Sequence, residues 1–166
     1  PKITFKMFCK WYNVNSSEGL VKVQGLGEKE IAEKLSEADI SWVRPERIKT
    51  PFGYYTPDFK CSGIFLEVKG TRTLMMLLGK SSMLDSAKKD WARDINDISY
   101  KKMVWLLEET KKPFIIYIND SDNDSKYFKN FPLAEIKKNL KGFKIFYGKS
   151  EIQKCLDFIK NYNINK

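Results

Sequence analysis

The sequence predicts an α/β fold: one domain with a mixed central sheet covered by helices on both faces. Three observations carry this. With 166 residues and 42% hydrophobic content, the chain has the size of one ordinary domain and enough apolar material for a core. Short runs rich in β-formers alternate with stretches whose apolar residues recur at helical spacing. Helical patterns also stand both before and after the strand-like runs, an order that covers a mixed sheet from both sides.

The elements follow in chain order. "KITFKMFCKWYNV" alternates and, with "NSSEG" as a turn and "LVKVQ" as the return, forms an N-terminal hairpin over residues 1–24. "EKEIAEKLSEA" places Ile31, Ala32 and Leu35 on one helical face. "ISWV" reads as a short strand ending before Pro45, and "FGYYTPDF" and "GIFLEVKG" read as two more. Residues 82–110 lack glycine and proline and predict one or two helices, and "PFIIYI" predicts a buried strand. "NDSDNDS" is a surface loop. "PLAEIKKNL" then predicts a helix, "FKIFYG" a strand and "SEIQKCLDFIKNY" a final helix, with Ser150 and Gln153 at capping-box spacing. No internal repeat divides the chain.

Thirty basic residues against 21 acidic ones give a formal charge of +9 and a pI near 9.3. That balance suits an anionic partner, although a lysine-rich solvated surface produces the same number. Cys9, Cys61 and Cys155 are widely spaced and odd in number, which suggests neither a disulfide framework nor a zinc knuckle and fits a cytoplasmic setting. The chain has no histidine, so His-based nucleases, Ser-His-Asp hydrolases and HExxH proteases are excluded together. No apolar run approaches the roughly 18 residues of a membrane span, and "PKITFKMFCK" has no signal-peptide core, so no membrane partner is expected.

The charges in "YYTPDFKCSGIFLEVKG" need an explanation. If Ser62 and Gly63 are the central residues of a tight hairpin, Cys61 faces Ile64, Lys60 faces Phe65, Phe59 faces Leu66, and Asp58 falls opposite Glu67. Alternation sends Ile64, Leu66 and Val68 one way, and Phe65, Glu67 and Lys69 the other way with Asp58. Like charges facing each other across a strand pair repel unless a cation or a proton lies between them. A hard divalent ion, which takes one or two protein carboxylates and keeps several waters, suits the pair. In that arrangement Lys69 would stabilise developing negative charge or help activate a water. The plainer alternative makes Asp58 a strand opener and Glu67 and Lys69 solvent-side residues.

Glu28 lies at the N-terminal end of the apolar stripe formed by Ile31, Ala32 and Leu35, and should look toward the sheet. An acid there also complements the helix dipole, an effect of about 0.3–1 kcal/mol. Beside a hairpin that already needs a cation, a third carboxylate is the better reading.

"GEKEIAEKL", "YYTPDF" and "GIFLEVKG", in that order, resemble the PD-(D/E)XK nuclease superfamily. The wording is similar to that of phage junction-resolving endonucleases and of small restriction and homing nucleases. The resemblance covers residues 25–119 and implies a restriction-endonuclease-like αβββαβ core, preceded by the hairpin of residues 1–24 and followed by an αβα extension over 120–166. It implies Asp58, Glu67 and the carbonyl of Val68 as ligands of Mg2+ (or Mn2+), Glu28 as an accessory carboxylate and metal ligand, and Lys69 as the catalytic lysine. It departs from the family at the N-terminal hairpin and at "TRTLMMLLGKSSM", which match no family feature.

A metal-dependent DNA endonuclease, structure-specific or sequence-specific, is therefore expected. Lys60, Arg72, Lys80, Lys88, Lys89 and Arg93, with Lys101 and Lys102, are its expected phosphate contacts. The apolar run Leu74–Leu78 reads as a core turn or as a homodimer contact, and the four tryptophans as core or interface anchors. The alternatives are a non-catalytic basic DNA-binding module on a nuclease fold, and a small-nucleotide phosphoesterase for which no Gly-rich phosphate cradle is present.

Overall fold

The computed structural model describes residues 10–71, 73–74, 89–120 and 131–164, with the backbone alone for 89–97 and 163–164. The chain is mixed α/β. Strands β1 (Trp11–Ser16) and β2 (Gly19–Gln24) pair antiparallel in a two-stranded hairpin. Its buried Val14 and Val23 pack on helix α1 (Gly25–Glu37), which buries Ile31, Ala32 and Leu35, the stripe expected from their spacing. The part of the expected first strand before residue 10 lies outside the described residues.

The next segment departs from expectation. "ISWV" does not form a strand of its own: Val43 makes one isolated antiparallel bridge with Lys60. Pro45, which has no N–H to donate, follows closely and stops the ladder from lengthening. Trp42 is instead a core anchor, 1% exposed and edge-on to Phe59 at 5.3 Å. "FGYYTPDF" is likewise not one strand. Strands β3 (Ile48–Thr50) and β4 (Gly53–Tyr55) form a separate small hairpin, and the chain leaves strand geometry at Thr56–Asp58, around Pro57.

Strands β5 (Phe59–Cys61) and β6 (Ile64–Gly70) then pair antiparallel with Phe59 facing Leu66, Lys60 facing Phe65 and Cys61 facing Ile64. Ser62 at φ 50° and Gly63 at φ 90° give both central residues the left-handed backbone of a primed two-residue turn. Helix α2 (Lys89–Thr110), strand β7 (Phe114–Asn119), helix α3 (Leu133–Asn139), strand β8 (Lys144–Tyr147) and, after a 3-10 turn at Lys149–Glu151, helix α4 (Ile152–Ile164) complete the order. The capping box expected from Ser150 and Gln153 does not form. Gln153 donates to Asp157, and Glu151 accepts the N–H of Tyr147 at 2.9 Å, because the 3-10 turn shifts the start of the helix past Ser150.

The main sheet has the order β5-β6-β7-β8, antiparallel at the first pair and parallel at the next two. Two cores flank it. Ile64, Leu66, Ile115 and Tyr117 join α1, α4 and the β1–β2 hairpin on one side. Phe65, Phe114, Ile116 and Ile118 join Met103 and Leu106 of α2 and Ile136 of α3 on the other. All six residues of β7 are buried, as expected of a continuous apolar run covered on both faces. Leu74 is fully buried in the second core, so the first residue of the apolar run is a core residue; Met75–Leu78 lie outside the described residues.

Candidate active site

The ladder between β5 and β6 ends at Phe59 and Leu66, and the residue before it, Asp58, turns its carboxylate onto the next open position of β6. Asp58 Oδ2 accepts the N–H of Val68 at 2.8 Å. An extended residue directs its N–H and C=O toward the same neighbouring strand, so the Val68 carbonyl also lies on the Asp58 edge, beyond the end of β5. Alternation carries Glu67 and Lys69 to the face occupied by Phe65. Glu67 is 1% exposed, and its Oε2 lies 3.1 Å from Lys69 Nζ. That contact pairs the buried carboxylate with the Lys69 ammonium.

Two residues belong to the site that spacing alone did not single out. The Tyr55 hydroxyl donates to Glu67 Oε1, because the β3–β4 hairpin brings Tyr55 to β6. Arg44 Nη1 lies 3.1 Å from Glu28 Oε2 and its guanidinium sits 5.4 Å over the ring of Trp11. Trp11 itself is 52% exposed, so of the two expected roles, core or interface anchor, it does not fill the first. Nothing in the local pattern of "GYYTPDF" distinguishes Tyr55 from Tyr54, since the hairpin that separates their roles is itself absent from that pattern.

Burial dominates the electrostatics. It pushes the Glu67 carboxyl up to about 8; the charge of Asp58 pushes the same way, and Lys69 pulls against both. Asp58 is raised chiefly by burial and also by the charge of Glu28, with Lys69 opposing. For Lys69, burial alone would lower the ammonium, yet Glu67 and Asp58 outweigh it and hold it above the usual lysine range. The Tyr55 hydroxyl is raised by burial and then by the charge of Glu67, so it remains a hydrogen-bond donor at neutral pH.

Of the expected site residues, Asp58, Glu67, Val68 and Lys69 come together. Glu28 comes near enough for its charge to act on Asp58 and Lys69. Its Oε2, however, is engaged by Arg44 and by the N–H of Gln24 at 2.8 Å. Among the described residues no group of three or more acidic or cysteine side chains is arranged to hold a metal ion. Glu28 is thus a neighbour of the pair and not part of a three-carboxylate cluster.

Lys60 is exposed on β5, and Lys101 is exposed on α2. Lys102 reaches the β3–β4 turn, with its Nζ 3.5 Å from the position a Cβ would take at Gly53. Lys89 and Arg93 lie on α2 with only their backbone described, and Arg72, Lys80 and Lys88 fall outside the described residues. No family model, curated protein or solved structure matches the chain. No described helix is long and apolar enough to cross a membrane.

The donor set suits a hard divalent cation. Two neighbouring carboxylates lie beside the Val68 carbonyl at the open end of a strand pair, with the Lys69 ammonium 3.1 Å from Glu67 Oε2. Buried like charges this close favour either a shared proton or a cation.

Proposed function

We propose that the chain is a metal-dependent endonuclease that hydrolyses DNA phosphodiesters on a restriction-endonuclease-like core. One observation carries the reading: half-buried Asp58, bound to the N–H of Val68, acts on the charge of buried Glu67, whose Oε2 lies 3.1 Å from Lys69 Nζ, an arrangement that a purely structural hairpin would avoid. Asp58, Glu67 and the Val68 carbonyl would hold Mg2+ or Mn2+, which when bound supplies a Lewis acid beside the scissile phosphate. Lys69, kept protonated by the two acids, would stabilise negative charge building on the phosphate oxygens. Tyr55 would hold Glu67 in a fixed orientation through its hydroxyl. The net charge of +9 supports a polyanionic substrate.

The test is cleavage of supercoiled, linear and branched DNA with Mg2+ or Mn2+, with and without EDTA. Nicking that depends on the ion and is lost in Asp58→Ala and Glu67→Ala, while DNA binding survives, is the expected result. Undiminished cleavage by both variants would remove the site.

A second reading has one observation in its favour: Tyr55 and Lys69 already partner Glu67 without an ion, as in a buried polar network that serves only structure. A non-catalytic DNA-binding module of that kind would bind DNA in a salt-sensitive way and cut nothing with any divalent ion.

A further inference from the structure

The small β3–β4 hairpin beside the carboxylate pair has two unlike faces. Ile48 lies opposite Tyr55 and Thr50 opposite Gly53 in its ladder, so alternation sends Ile48, Thr50 and Tyr55 to one side. That side is turned inward: Thr50 is 6% exposed, Ile48 and Tyr55 pack on the second core, and the Tyr55 hydroxyl reaches Glu67. Lys49 lies opposite Tyr54 on the outer side, and both are exposed, the tyrosine by 52%. Arg47 holds its guanidinium 4.1 Å over the Tyr54 ring, which steadies the ring from one side while more than half of the residue stays open to solvent. At the turn, Thr50 Oγ1 accepts the N–H of Phe52 at 3.1 Å and donates to the Gly53 carbonyl at 2.6 Å, and the Pro51 ring locks its own φ. This stiffened turn keeps Phe52 46% exposed. Lys102 of α2 brings a further cation to it, with Nζ 3.5 Å from where a Cβ at Gly53 would stand. Residues 48–55 contain no acid, and Glu46, just before Arg47, is exposed.

We propose that this outer face binds single-stranded DNA: unpaired bases stack on Tyr54 and Phe52, and Lys49 and Lys102 hold the phosphates that flank them. Single exposed aromatics are ordinary on a protein surface. Two on one short hairpin, interleaved with cations and free of acids within the strands, have the composition of a stacking platform for a polyanion. A base inside a continuous duplex is covered above and below by its neighbours and offers only its edges. An exposed ring face therefore engages DNA where bases are unpaired, and it does so with little regard to sequence. Tyr54 precedes Tyr55, which touches Glu67, so a strand stacked on this face leads toward the carboxylates. The substrate is then DNA with unpaired bases next to the bond that is cut. That last assignment rests on the nuclease reading; the stacking surface itself does not.

The test uses the full chain in EDTA and two labelled DNAs of equal length. One is a continuous duplex; the other has unpaired bases at its centre, one of them 2-aminopurine, whose fluorescence is quenched by stacking. The wild type should bind the second DNA about tenfold more tightly and quench the probe. Tyr54→Ala should weaken binding of that DNA by about tenfold to hundredfold and relieve the quenching, with duplex binding unchanged as the sign of an intact fold. Tyr54→Phe, which keeps the ring, should behave as the wild type. Phe52→Ala should lose affinity for the same DNA, and Lys49→Ala should reduce the slope of log affinity against log salt by about 0.7. Equal binding of the two DNAs by the wild type, or quenching that survives in both alanine variants, would overturn the proposal; normal metal-dependent cleavage beside that result would leave the nuclease reading standing. Quenching that depends on Tyr54 in a protein that cuts no DNA with any divalent ion would sustain the stacking surface and remove the nuclease reading. A dimer of the free chain that Tyr54→Ala dissolves would give this face to a second copy and overturn the proposal.

Discussion

Glu67 is the residue on which the protein's pH response turns. Its carboxyl is raised to about 8, above its ordinary value, so between roughly pH 4.5 and 8 the folded state binds a proton that the unfolded chain has released. The group favours folding fully below its unfolded pKa, and that contribution is lost as pH rises toward the folded value. Without divalent ions, stability measured by urea denaturation should therefore fall from pH 5 to pH 8. Glu67→Gln should flatten the decline, and added Mg2+ should restore wild-type stability at pH 8. A wild-type protein equally stable at both values would contradict the burial assigned to this carboxyl. Tyr55 makes a separate prediction, because its hydroxyl orients Glu67. Tyr55→Phe should fold and should lose roughly 10- to 100-fold in metal affinity or cleavage, read as a rightward shift of the Mg2+ titration.

At the level of elements, the β5–β6 turn sets the site. Gly63 at φ 90° holds a backbone that a residue with a side chain adopts only under strain. Gly63→Val should cost about 1–2 kcal/mol in chemical denaturation. Any cleavage it loses would follow from a disturbed register between Asp58 and Glu67 and not from contact with substrate. The neighbouring β3–β4 hairpin has a different task. It is a separate two-stranded element, and it brings Tyr55 to β6 while carrying Arg47 4.1 Å over the exposed Tyr54 ring.

Across the whole molecule, charge sets the expected partner. With 30 basic and 21 acidic residues, DNA binding should weaken steeply with salt, log affinity falling linearly with log salt concentration. Binding that is flat from low to high salt, measured by fluorescence anisotropy, would argue against backbone phosphates as the main contact. The mixed four-stranded sheet with a core on each face supplies the rigid floor for the carboxylate pair, since β6 is hydrogen-bonded on both sides and Leu66 is fully buried.

Much of the fold is legible in the sequence because it rests on local physics. The Ser62-Gly63 turn and period-two alternation set the β5–β6 register that ends at Phe59 and Leu66, with Asp58 just outside the ladder and close to Glu67; helical spacing marks the buried face of α1, and the unbroken apolar run of β7 announces a strand covered on both sides. The 48–55 hairpin escaped because Pro57 and Gly53 interrupt what reads as one continuous β-rich run. Tyr55 against Glu67, Arg44 against Glu28 and Asn119 against Gly27 join residues 12, 16 and 92 positions apart. No short-range period encodes such pairs. They exist only once the helices and the small hairpin have packed onto the sheet, so the chain's own pattern determined the carboxylate pair, and tertiary packing decided which side chains surround it.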